Sequence, residues 1–427
     1  MSNIVAGYHR QLKSFSPNAR LFLASTVIQG LSFSLQMLFF NLFVVSQGYS
    51  RTFLGTLQSM PNLIALLGTL PAGMVVDYIG RKKSLLLAAV GRTLAYLGII
   101  LAPGPGWLVA SMVLSGVSNS LAMVSSAPFL MENSTIEERN ALFSANFGLQ
   151  TLIGFLGSVV GGYLPAFFGM RLGVDVEGPL AYGCTLGVGV ALLAVSLFPI
   201  FLIKEQPRAA GPVRSLWPWR NISNLGLAAR LTLPNIIISM GAAILIPYMN
   251  LFFKGTFGIP DKSLGMLFAV SSVVTGLATL TSPVLADRYG RIRALVLTQL
   301  ASIPFLLTIG FSPWFSVAAF AFWVRAALMN MGNPLYNAFA MEQVQERERA
   351  TVSGLMGMSW TLGWTIGPYV SGIMQADPNI GFRPIFLITC SLYLVAAVLG
   401  KVFFQRMDDR QRRSAMLDRL GVVDATR

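Results

Sequence analysis

Residues 73–83 read Gly73-Met74-Val75-Val76-Asp77-Tyr78-Ile79-Gly80-Arg81-Lys82-Lys83, and 210 positions later the chain reads Pro283-Val284-Leu285-Ala286-Asp287-Arg288-Tyr289-Gly290-Arg291-Ile292-Arg293. In each stretch an apolar run closes on an aspartate, a glycine lets the chain turn, and a basic cluster follows. Asp77, Gly80 and Arg81 thus recur as Asp287, Gly290 and Arg291. The same offset carries Glu132, Glu138 and Arg139 onto Glu342, Glu348 and Arg349, and Gly157 and Gly162 onto Gly367 and Gly372. A single offset that holds over such long segments makes the chain two related halves, and this repetition governs every later reading.

Hydrophobic residues make up 54% of the 427 and charged residues 11%, where a soluble domain carries about 25% charged. A bilayer-spanning helix needs about 20 mostly apolar residues. Twelve such runs are centred near residues 33, 65, 92, 119, 154, 191, 241, 275, 301, 328, 361 and 393. The fold class read from this is an all-α polytopic membrane protein, with twelve transmembrane helices in two pseudo-symmetric six-helix bundles. The first bundle is placed at 21–203 and the second at 227–404, with tails at 1–20 and 405–427. Residues 204–226 bring Pro207, Pro212 and Pro218 among cationic positions and form the linker. Its Trp217 and Trp219 are placed at the headgroup level, where tryptophan is favoured.

The net charge of +14 would suggest nucleic acid in a soluble protein. Its distribution argues for a membrane instead. When loops are assigned alternately to two sides, 24 of the 31 lysines and arginines fall on one side, from Arg10 and Lys13 through Arg81–Lys83 to the C-terminal tail. The other side receives only Arg51, Arg171, Lys254, Lys262 and Arg383. The positive-inside rule then places both termini in the cytoplasm of a multi-pass cell-membrane protein. The partners expected are a small-molecule substrate and the lipid bilayer, with no nucleic acid and no second copy of the chain. The stretches 169–179 and 254–262 are the only opposite-side loops with much polar surface.

Cys184 and Cys390 lie in apolar runs and read as small buried hydrophobes. The single histidine, His9, sits in the N-terminal tail. No phosphate loop, metal-ligand spacing or nucleophile–base pattern appears, so neither an enzyme nor a cofactor is expected.

Twelve runs with this motif in both halves resemble the major facilitator superfamily of secondary transporters. That family's loop between helices 2 and 3 carries Gly-x-x-x-Asp-Arg-x-Gly-Arg-Arg/Lys. Here Gly73, Asp77, Gly80, Arg81 and Lys82 stand in place, with Tyr78 at the first arginine. The second copy has Asp287, Arg288, Gly290 and Arg291, with Pro283 replacing the leading glycine. The resemblance spans about residues 20–404. It implies a cytoplasmic gate in which the aspartate pairs across the halves and the loop arginines meet a glutamate at the end of helix 4. That set is Asp77, Gly80, Arg81, Glu132 and Arg139, with Asp287, Arg288, Gly290, Arg291, Glu342 and Arg349 as its twin. Gly157-Ser158-Val-Val-Gly161-Gly162 resembles the family's exporter signature in helix 5, without its proline and without its leading glycine.

The resemblance also places the substrate between the halves near mid-membrane, where intramembrane polar residues mark the path. In the first run Ser25, Gln29, Ser32 and Gln36 share one helical face. Asn41, Asn119 and Asn250 add amides in three runs, and the tenth carries Arg325, Asn330, Asn333 and Tyr336. Arg92 and Arg325 fall inside the apolar runs themselves. These residues are the expected cavity, with interhelical hydrogen bonding as the competing role. All seventeen acidic residues fall in loops, tails or helix ends. Two intramembrane arginines without mid-membrane acids favour an anionic, zwitterionic or amphiphilic solute. Proton-driven multidrug efflux, a lipid flippase and a non-transporting receptor are the alternatives.

Overall fold

The computed structural model describes residues 15–102, 104–204, 223–377 and 381–419. The linker tryptophans, His9 and the last eight residues lie outside the described residues. Among those described, every regular element is helical: α1 (Pro17–Ser46), α2 (Arg51–Ile79), α3 (Arg81–Leu101), α4 (Pro105–Glu132), α5 (Ile136–Leu172) and α6 (Pro179–Leu202). The second half gives α7 (Leu225–Phe257), α8 (Asp261–Tyr289), α9 (Arg291–Phe311), α10 (Phe315–Glu342), α11 (Arg349–Met374) and α12 (Arg383–Arg419). Pro247 lies in a 3-10 turn, Ile246–Tyr248, that interrupts α7, since a proline supplies no amide to the helical ladder.

Eleven of these helices are long and apolar enough to cross a membrane. The twelfth expected span is α11, 26 residues long, and its Gly, Ser, Thr and Trp content makes it less apolar. The reason is what it packs against. Ser239 of α7 donates to the Trp360 carbonyl at 2.8 Å, and Asn235 donates to that of Met356 at 2.8 Å. A Cβ on Gly367 would stand 2.6 Å from that of Ala243. Small and polar faces suit helix contact in lipid, where burying apolar surface supplies no drive.

α12 runs past the apolar stretch to Arg419, so residues expected as a tail from 405 onward are helical as far as Arg419. Asp408 on this extension accepts the Ile292 amide at 3.2 Å, and Arg293 pairs with Asp409 at 2.9 Å. The start of α9 is thereby tied to α12.

Contacts divide the chain into two compact units. One gathers the described residues of Met1–Leu216, Pro247–Ser272 and Pro368–Ala376; the other, those of Trp217–Ile246, Val273–Gly367 and Asp377–Arg427. In the first unit α1 packs on α5 and α6, and α3 on α4 and α6. In the second, α7 packs on α12, and α9 on α10 and α12. The pairs α1–α6, α3–α4 and α3–α6 thus reappear as α7–α12, α9–α10 and α9–α12, the repeat written in three dimensions.

Candidate functional site: two motif turns and a basic membrane cavity

Both motif turns are built alike. Gly80 and Gly290 have φ of 92° and 90°, a region that only glycine enters without strain. Each glycine amide closes the preceding helix, on Val76 O at 3.1 Å and on Ala286 O at 2.8 Å. The arginine after each glycine then reaches a glutamate 51 residues on. Arg81 lies 3.5 Å from Glu132 and 3.4 Å from Asp77, and Arg291 bonds Glu342. Arg139 donates to Met131 O at 3.5 Å, and its twin Arg349 to Met341 O at 3.0 Å. Asp287 and Arg288 lie in the last turn of α8, before the Gly290 break, and Arg288 stands over the Tyr289 ring at 5.3 Å. Glutamates and arginines expected as two sets are therefore adjacent within each copy. Outside the spans, Ser223 N–H donates to Glu348 at 3.0 Å. Hydrogen bonding from Ser223 holds this carboxyl below its ordinary value.

Arg92 is held by neutral amides. It donates to Gln29 Oε1 at 3.1 Å and to Asn119 Oδ1 at 2.9 Å. Gln29 passes a bond to Ser25 at 2.8 Å, and Ser25 one to the Ser196 carbonyl at 3.1 Å. The polar face of α1 thus begins a chain that links α4, α3, α1 and α6. Gln36 turns back onto Ser32 at 3.0 Å.

Asn41 and Asn250 are each only 1% exposed. Asn41 donates to Asn250 at 3.0 Å and to the Pro247 carbonyl at 2.6 Å, accepts from Gln58, and Asn250 donates to Leu38 O at 2.8 Å. Asn41 and Asn250 thus pair with one another and with the Pro247 and Leu38 carbonyls, which ties α7 to α1. In the 254–262 stretch Thr256 and Lys262 are exposed, whereas Lys254 and Asp261 turn inward. Lys254 lies 3.1 Å from Glu177, bonds Asp261 and stands 5.5 Å over the Tyr182 ring, while Asp261 is 4% exposed.

In the second unit a cavity of about 180 Å³ opens among α7, α9, α10, α11 and α12. Arg325, Asn330, Asn333 and Tyr336, named from the sequence for a cavity between the halves, line this one within the second unit. Trp360, Trp364, Tyr393 and Gln299 join them and were not anticipated; the only available signal was two tryptophans four residues apart on one face of α11. Arg325 is 5% exposed, donates to the Tyr393 hydroxyl and stands 5.6 Å from that ring. Tyr336 donates to the Leu231 carbonyl, and Asn330 turns back to Ala326 O at 2.8 Å. No aspartate or glutamate is among the lining residues. Such a cavity can accept a negative group and an apolar body together.

A family model described as the Major Facilitator Superfamily matches residues 22–230 and again 231–422. A multi-drug resistance efflux pump PmrA homolog of Lactococcus lactis is 25% identical over 399 residues, covering 88% of this chain and 92% of that protein. The multidrug resistance protein MdtG of Dickeya zeae is 25% identical over 398 residues, covering 90% and 93%. Among solved structures, the nucleoside transporter NupG superposes with a TM-score of 0.71 at 14% identity, covering 91% of this chain and 99% of that one. A bacterial homolog of the human lysosomal transporter Spinster, inward-facing and occupied, gives 0.71 at 16% identity over 91% and 97%.

Proposed function

This chain belongs to the major facilitator superfamily, and on that premise we propose that it carries a small anionic or amphiphilic organic solute across the cytoplasmic membrane by alternating access. Residues 21–203 and 227–404 act as the two rocking bundles, joined by the 204–226 linker. Both termini face the cytoplasm, in keeping with the charge distribution. The Arg81–Glu132 and Arg291–Glu342 pairs sit at the cytoplasmic helix ends, where ion pairs made in one state and broken in another serve as latches.

The observation that carries the solute class is Arg325, nearly buried beside a cavity without a carboxylate. An intramembrane charge costs at least ~2.5–3.5 kcal/mol even on lenient insertion scales, so a counter-charge that arrives with the solute is favourable. The test is a thermal-shift screen of the purified protein with anionic, zwitterionic, neutral and cationic amphiphiles, since a ligand of the folded state raises apparent stability by mass action. Stabilisation by anions supports the reading, and stabilisation confined to cations contradicts it.

Efflux of diverse drugs is the second reading. It is favoured by the two relatives, each named for multidrug resistance and matched over nearly the whole chain. Lower accumulation of a cationic dye in cells that express the protein, unchanged in Arg325→Gln, would select it.

A further inference from the structure

Two residues that line the second-unit cavity each carry a buried side-chain nitrogen without a hydrogen-bond partner, Arg325 Nε and Trp364 Nε1. Both are N–H donors and neither can accept. Leaving a buried donor unmade costs free energy comparable to a lost hydrogen bond, and more when the group is charged. The remaining polar groups around the cavity do not relieve them. Asn235, Asn330 and Tyr336 donate elsewhere, to the carbonyls of Met356, Ala326 and Leu231, and none of their oxygens accepts from either nitrogen. Tyr393 Oη already accepts from another nitrogen of Arg325. The cavity therefore presents a paired demand for acceptors, one half of it cationic.

Size and walls restrict what can answer that demand. At about 180 Å³ the cavity is smaller than the roughly 300–1,000 Å³ pockets that enclose drug-sized ligands. Trp360, Trp364 and Met329 give it flat, polarisable walls. Such walls stack on an aromatic or otherwise planar body.

We propose that this cavity is a subsite for a monoanionic oxyanion, a carboxylate or sulfonate, carried on a compact planar apolar body, with Arg325 Nε–H and Trp364 Nε1–H as the two donors to the head group. The proposal rests on the transporter reading for its purpose and gives that reading its substrate class. Arg92 does not share the role, because its Nη1 and Nη2 already donate to Gln29 and Asn119 and none of its nitrogens is a buried atom left without a partner.

The test uses the full-length protein in nanodiscs of zwitterionic lipid, with three matched probes: 1-naphthoate, 1-naphthalenemethanol and 1-naphthylmethylammonium. Binding is read by thermal shift and by quenching of tryptophan fluorescence. 1-Naphthoate alone is expected to bind. Trp364→Phe, which keeps an aromatic wall and removes the N–H, is expected to weaken naphthoate about tenfold, and Arg325→Gln to abolish its binding. Arg325→Lys should restore part of the affinity, because a lysine retains the charge without the planar fork. Naphthoate affinity unchanged in Trp364→Phe overturns the proposal, whether or not Arg325→Gln folds. Equal binding of the ammonium probe overturns it as well. Loss of the naphthoate shift when phosphatidylglycerol is included in the nanodisc would make a lipid head group the occupant and overturn the solute form. In parallel proteoliposomes, saturable naphthoate binding without flux would contradict transport while the subsite stands. Flux of the ammonium probe indifferent to Arg325 would do the reverse.

Discussion

Gly162 of α5 and Gly265 of α8 meet backbone to backbone: a Cβ on Gly162 would stand 3.1 Å from the Gly265 Cα and 2.9 Å from the Asp261 carbonyl oxygen. Gly55 of α2 and Gly372 of α11 repeat the relation, with a Cβ on Gly55 falling 3.1 Å from the Gly372 Cα and 2.7 Å from Pro368 O. Adding 210 turns 55 into 265 and 162 into 372, so one contact is made twice. Side chains cannot enter either crossing unless the helices separate. Gly162→Val is expected to cut solute flux at least tenfold in protein that still inserts and purifies. Gly148→Ala, on the same helix with nothing within 4 Å, should leave flux unchanged. Wild-type flux in Gly162→Val would show that the crossing is not part of the working cycle.

The ion pairs differ in weight. Arg81–Glu132 is half-exposed at the glutamate, and exposed pairs contribute about 0–1 kcal/mol. Lys254 and Asp261 are both largely buried, and removing one partner of such a pair costs about 3–5 kcal/mol. Asp261→Asn should therefore lower the unfolding midpoint clearly, whereas Glu132→Gln should hardly move it. Thermal unfolding of both variants at low and high salt checks the order, and equal losses would contradict it.

The turn glycines supply a third comparison. With φ of 92° and ψ of 163° at Gly80, a region essentially restricted to glycine, an alanine costs about 1–3 kcal/mol. Gly80→Ala should thus destabilise more than Glu132→Gln at the other end of the same cluster. The same ranking should hold for Gly290→Ala against Glu342→Gln.

Asn41 and Asn250, 209 residues apart, should be energetically coupled through their shared hydrogen bond. A double-mutant cycle with Asn41→Ala and Asn250→Ala is expected to return a coupling of about 0.5–3 kcal/mol. Additive losses would mean that the bond contributes nothing beyond its two ends.

Glu348 predicts a pH dependence. Its folded-state value lies below the ordinary 4.5 because Ser223 donates to the carboxylate. A depressed acid contributes stability above its unfolded value and loses it as pH falls through the folded one. Below about pH 4.5 the wild type should therefore lose stability that Glu348→Gln has already lost, so the two unfolding curves converge as the medium becomes acid. A gap that stays constant down to pH 3 would contradict this.

Apolar length and the 210-residue offset carried nearly all of the fold, because spanning a bilayer constrains composition more tightly than folding in water does. The weakest span, α11, was still legible from Gly367 and Gly372, which stand 210 residues after Gly157 and Gly162 of α5. What each polar face touches was not legible. The helical period puts Ser25 and Gln29 on one face, but only packing decides that this face holds Arg92. It likewise gave no hint that Asn41 would find Asn250, or that Asp261 would be buried under Tyr182. Arg325 stood out by its charge alone. Trp360, Trp364 and Tyr393 did not, because an aromatic residue in a membrane helix is unremarkable until a cavity forms beside it.

The most direct test of the central claim is counterflow in proteoliposomes that contain the purified protein, preloaded with unlabelled 1-naphthoate and presented with trace radiolabelled 1-naphthoate outside. The account predicts transient, saturable accumulation of label, absent from protein-free liposomes and abolished by Arg325→Gln. Label that equilibrates no faster than in protein-free liposomes, while the ammonium probe is exchanged, would contradict it.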